Sequence, residues 1–139
     1  MQKAFSRDTY LRIQKHIAAP NNSDQSLTLK AENSLIRFGS KAVEPLLSAL
    51  SHPNPAVRFR VVWVLGISKD PRAFDAICSL LKDEDERVRY DATIVLGHHG
   101  DERAIPLLWD LVENRVDPLL GSAARIALLK FGVQAFPAE

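Results

Sequence analysis

A chain of 139 residues, 46% hydrophobic and 25% charged, holds enough apolar material for one globular domain with a sizeable core. Its apolar runs are too short to span a bilayer, and a net charge of +1 gives no global basic field for nucleic acid. The single cysteine, Cys78, excludes an internal disulfide, and the opening MQKAFSRDTYLRIQKHIAAP lacks an apolar h-region, so a cytoplasmic protein without a secretory leader is expected.

In chain order, residues 4–18 predict an amphipathic helix with Phe5, Tyr10, Ile13 and Ile17 facing inward. APNNSDQ, 19–25, reads as a loop. LTLKAENSLIRFG, 27–39, is a half-copy of a unit that then repeats. Residues 42–72 and 73–103 align without a gap at a spacing of 31. Ala42 matches Ala73, Leu50 matches Leu81, and Val57-Arg58 matches Val88-Arg89. Val64-Leu65-Gly66 matches Val95-Leu96-Gly97, and Arg72 matches Arg103. A third copy starts at Ala104 and returns one residue late, which puts an insertion near Asn114 to Val116.

Each copy predicts two helices, A over 42–51, 73–82 and 104–113, and B over 55–67, 86–98 and 118–130. Asn54, Asp85 and Asp117 stand where a side chain can cap the first amides of each B helix, and Asp70 and Asp101 are placed to do the same for the following A helices. Gly39, Gly100 and Gly132 sit where B helices stop. The organisation expected is one domain, 1–139, with an N-terminal cap and half-repeat (1–41), repeats 42–72, 73–103 and 104–132, and a tail, 133–139.

The pattern A-φ-x-x-L-x-x-L, then V-R, then A-L-G and a D-x-R turn resembles the HEAT-like repeats of the phycobilin-lyase type over residues 27–132. The resemblance implies an all-α, right-handed superhelix, an α-solenoid of about three and a half to four HEAT-like helix pairs. It also implies that one face of the B helices lines the concave side.

VRFRVVWVLGI, 57–67, is apolar nearly all round. Its predicted core side is Val57, Val61, Val64, Leu65 and Ser68. On the opposite side, three columns run across the copies: Leu29, Phe59, Tyr90 and Ser122; Asn33, Trp63, Ile94 and Ile126; Arg37, Ile67, His98 and Lys130. Phe59, Trp63, Ile67, Tyr90 and Ile94 form the candidate patch, and Arg60, Asp91 and His98, with Lys30, Arg37, Glu86, Arg87 and Lys130, form its polar rim. Partner binding, self-association and packing of these side chains on each other are the three readings of the patch. In the family pattern, Arg58 and Arg89 form a ladder with turn carboxylates such as Asp70 and Asp101.

No catalytic constellation, cofactor motif or metal motif stands out. His98 and His99 diverge by about 100° on their helix and are poorly placed to share an ion. Some HEAT-like hydroxylases bind iron through His-Glu dipeptides, and this chain has none. Cys78 falls in an apolar A-helix column and reads as a small buried hydrophobe. The expected function is therefore a non-catalytic protein-interaction scaffold that takes a helix or extended segment of another protein. Two alternatives stand beside it. A subunit or chaperone of a bilin lyase would hold a flat acidic pigment with Arg37, Arg60 and Lys130. A nucleic-acid binder is opposed by residues 73–103, which carry eight acidic and four basic side chains.

Overall fold

The structure, a computed structural model, describes residues 7–18, 25–114 and 117–134, with the side chains of residues 25–29 outside the description. The predicted inward Phe5, most of the 19–25 loop, Arg115-Val116 of the insertion, the end of the tail and the Leu29 side chain lie outside the described residues. The described residues form eight α-helices: α1 (Arg7–Ile17), α2 (Gln25–Phe38), α3 (Ser40–Ser48), α4 (Pro55–Ser68), α5 (Ala73–Ser79), α6 (Glu86–His99), α7 (Ala104–Glu113) and α8 (Pro118–Lys130). Short 3-10 turns, Ala49–Ser51 and Leu80–Lys82, finish the two middle A helices. They pair as α1/α2, α3/α4, α5/α6 and α7/α8, with α1 packed mainly on α2, the helix of the expected half-copy. The B helices α4, α6 and α8 pack side by side in an α-solenoid.

The B helices begin where the sequence places their caps. Asn54 accepts from the Ala56 amide, Asp85 from Arg87 and Val88, and Asp117 from Leu119 and Leu120, each cap contributing about 1 kcal/mol. Asp70 and Asp101 act one step earlier than expected. Each accepts from the amide two residues on, at 2.9 and 3.0 Å, and closes the turn before the A helix rather than the helix itself.

The stacking of B helices depends on two glycines. A Cβ at Gly97 would lie 2.9 Å from the Ala127 backbone, and one at Gly66 would meet a Val95 methyl. Only glycine lets neighbouring helix axes approach that far. The equivalent residue is Ile36 in α2 and Leu129 in α8, and Leu129 is 48% exposed. B-helix stops have positive φ at Gly39, Gly100 and Gly132, and the corresponding residue after α4 is Lys69, the one non-glycine with positive φ (51°) among the described residues.

The environment of α4 accounts for its uniform apolarity. Neighbouring B helices cover its flanks and A helices its inner side, so Val57, Val61, Val62, Val64, Leu65 and Gly66 are all buried. Ser68 departs from its predicted core position. It is exposed in the last turn, and its hydroxyl donates back to the Leu65 carbonyl at 2.6 Å. No helix among the described residues is long and apolar enough to cross a membrane.

Candidate functional site

Covering three sides of α4 leaves a strip open. Phe59 and Trp63 are half-buried and Ile67 is 51% exposed, at successive turns of the helix. Tyr90, Asp91 and Ile94 are half-buried and His98 is exposed on the same strip of α6, while Ile126 of α8 is 47% exposed. The three columns, two mainly apolar and one mainly polar, therefore remain accessible on one face.

Part of this face packs on itself. Trp63 lies 6.5 Å from the Phe59 ring and 5.8 Å from the His98 ring, and its body also rests on the core. Its buried indole N–H makes no hydrogen bond of good geometry. Asp91 stands nearby. Burial pushes its carboxyl pKa up, and the indole N–H partly opposes the shift. Phe59, Tyr90 and Asp91 line a mostly apolar cleft of about 260 Å³ with Glu86, Arg87 and Leu119. Leu119, 52% exposed, is absent from the sequence-based candidates. The insertion shifts the α8 register there, and the only signal is a leucine in the solvent-facing first turn of a B helix.

Arg60 is a correction. The expected rim residue is 1% exposed. Its guanidinium donates to the Ile17 carbonyl at 3.0 Å and the His16 carbonyl at 3.4 Å, groups that the end of α1 leaves without helical partners. Burial lowers its pKa, and the Glu32 carboxylate partly restores it. Arg60 thus fastens the first helix to the second pair.

The arginine ladder also differs from expectation. Arg58 grips Asp83 with two hydrogen bonds, at 2.9 and 3.0 Å, and closes its own inter-helix turn through the His52 carbonyl at 2.7 Å. Arg89 closes the next such turn through the Asp83 carbonyl, also at 2.7 Å. Asp70 and Asp101 pair instead with Arg72 and Arg103. The structural role of Arg58 and Arg89 stands, with a different carboxylate in the rung.

His99 is buried as expected, 2.9 Å from the Asp70 carbonyl. A carbonyl only accepts, so Nε2 carries the proton and the two histidines face different surroundings. Burial pushes the Cys78 thiol up to about 11, far from the range of a reactive thiolate. Among the described residues no group of three or more His, Cys, Asp or Glu side chains is placed to hold a metal.

Repeated helix pairs, glycine-nested B helices and one open B-helix face define a HEAT-type solenoid. Residues 17–78 and 43–129 match HEAT repeats, and the chain belongs to the HEAT-repeat family. No curated protein sequence matches it. Its structure is similar to that of human deoxyhypusine hydroxylase in complex with glycerol, with a TM-score of 0.71 and 19% identity. That likeness covers 90% of this chain and 44% of the hydroxylase chain, so this chain spans less than half of it, and what is shared is the fold.

Proposed function

We propose that this chain is a non-catalytic scaffold that binds a helix or extended segment of another protein along its open B-helix face, in the cytoplasm. The observation that carries the reading is a run of apolar side chains left accessible on that face, from Phe59, Trp63 and Ile67 through Tyr90 and Ile94 to Leu119 and Ile126. Exposed apolar surface of this extent on one face is a mark of an interaction site. Rigid helices present it already formed, which lowers the ordering cost of binding. Proteins of the HEAT-repeat family generally act as protein-interaction scaffolds, and that supports the same reading.

The bilin alternative, drawn from the phycobilin-lyase type of repeat, has less support. Of the three cations it needs, Arg60 is already engaged with the α1 carbonyls. The nucleic-acid alternative lacks a basic face on the acidic middle copy.

The test is capture from the source lysate by wild type beside an Ile67→Asp, Ile126→Asp variant. Both residues are about half exposed, so the variant is expected to keep its fold by circular dichroism. Loss of one captured protein in the variant supports the reading. Equal capture by both, or a variant that differs only by falling from dimer to monomer, overturns it.

A further inference from the structure

Two departures from the repeat pattern meet at one place. The first is Ile36. In the next two copies its position is Gly66 and Gly97, which admit the neighbouring helix. Ile36 denies α4 that approach to α2, and these two helices pack less closely than α4 and α6. A cleft of about 340 Å³ lies between them. Leu46 and Val64 form part of its apolar wall, and Ile36 and Ile67, 39% and 51% exposed, stand with them.

The second departure is Lys69. The other three B helices end on a glycine with positive φ, and α4 ends on a left-handed lysine with φ 51°. That conformation is unfavourable for a side chain with a Cβ, and glycine would adopt it freely. No described acidic group pairs with the Lys69 ammonium, and what holds the residue is its backbone N–H to the Gly66 carbonyl, a bond glycine would make equally. Arg37 and Lys41 are likewise exposed, without an ion pair to any described residue, and are chain neighbours of the lining residues Ile36 and Ser40. The acids nearby, Asp70 and Glu44, are both occupied by Arg72. The cleft thus has an apolar wall, Ser40, Ser68 and the Arg72-paired Asp70 also line it, and three cations without an ion pair to any described residue directly adjoin lining residues in the chain.

We propose that this cleft takes an apolar anchor residue of a partner segment and that Arg37, Lys41 and Lys69 select acidic residues flanking that anchor. The inference rests on the interaction reading above and names the partner's chemistry: a peptide with one aliphatic or aromatic residue among Asp and Glu. Charge at the border governs encounter and orientation, while the anchor supplies most of the hold.

The experiment is selection of a phage-displayed library of random dodecapeptides on the full chain, followed by affinity measurement on synthesised winners. Enriched sequences should carry an aliphatic or aromatic residue between acidic ones. Their affinity should fall roughly tenfold on Ile67→Asp and roughly threefold on Lys69→Gly. Lys69→Gly should also melt a few degrees higher, because the strain is gone, so weaker binding there cannot be blamed on misfolding. Neutral or basic winners, or no enrichment, overturn the inference. So does binding that Ile67→Asp and Lys69→Gly leave intact. If such peptides lose binding on Tyr90→Ala and Leu119→Ser instead, the cleft proposal fails and the interaction face stands.

Discussion

Residues 42–72 and 73–103 are one unit written twice, and their agreements and differences fall in different places. Val57 and Val88, Leu65 and Leu96, and Gly66 and Gly97 are all buried between helices. Arg58 and Arg89 both close the turn between A and B helices. On the open face the copies diverge, with Phe59 against Tyr90, Trp63 against Ile94 and Ile67 against His98. Arg60 is matched by Asp91, and Lys69 by Gly100. Shared positions build the stack, and differing positions give each segment of the face its own surface. Arg60 is the exception, since it differs from its counterpart for a structural reason, the α1 carbonyls it holds.

That division can be broken by substitution. The largest effect is expected at Arg58→Ala, which takes from Asp83, its side chain 7% exposed, the only cation paired with it among the described residues and leaves it the Asp85 amide. The cost is about 3 kcal/mol by denaturant unfolding. Arg89→Ala removes only bonds to carbonyls and should cost about 1 kcal/mol. Equal losses would mean that the Asp83 rung contributes nothing.

Gly97→Ala comes next. Alanine favours a helix over glycine by about 1 kcal/mol, yet its Cβ meets the Ala127 backbone at 2.9 Å. A net loss of about 2 kcal/mol is expected. Leu129→Gly, at the same position on α8 where the side chain is 48% exposed, should cost only the helix propensity, roughly 1 kcal/mol. A Gly97→Ala variant as stable as wild type would remove the nesting argument.

The smallest effect is at Asp91. Burial raises its pKa, so in the folded state its charged form is disfavoured. Stability is fully present below the ordinary carboxyl value of 3.8 and falls as pH rises through the raised folded value. Asp91→Asn should therefore melt slightly higher at pH 7 and match wild type in acid. A variant less stable at pH 7 would point to a needed bond between Asp91 and Trp63.

Much of the fold is legible in the sequence because its determinants are local. Asn54, Asp85 and Asp117 cap amides two or three residues away, and Gly39, Gly100 and Gly132 stop helices by their own backbone freedom. The open face is legible as columns because helical angle follows from spacing. Spacing gives the direction of a side chain and does not tell which neighbour lies there. Arg60 points away from the core side, and only the docking of α1, more than forty residues earlier, buries it. Ser68 has the right angle for the core but sits past the last covered turn. Asp83 belongs to the Arg58 rung because adjacent copies bring their inter-helix turns together, a distance no heptad or wheel records. Leu119 is hidden by the insertion.

The central claim is that partners engage the B-helix face and not the outer A helices. It is tested most directly by placing the photo-crosslinking residue p-benzoylphenylalanine at Tyr90 and Ile126 on that face, and at Glu44, Asp75 and Leu107 on A helices, in otherwise wild-type chain. Irradiation in the source lysate should give one common adduct from Tyr90 and Ile126 and none from the A-helix positions. Adducts from Glu44, Asp75 or Leu107 with none from Tyr90 and Ile126 would contradict the account.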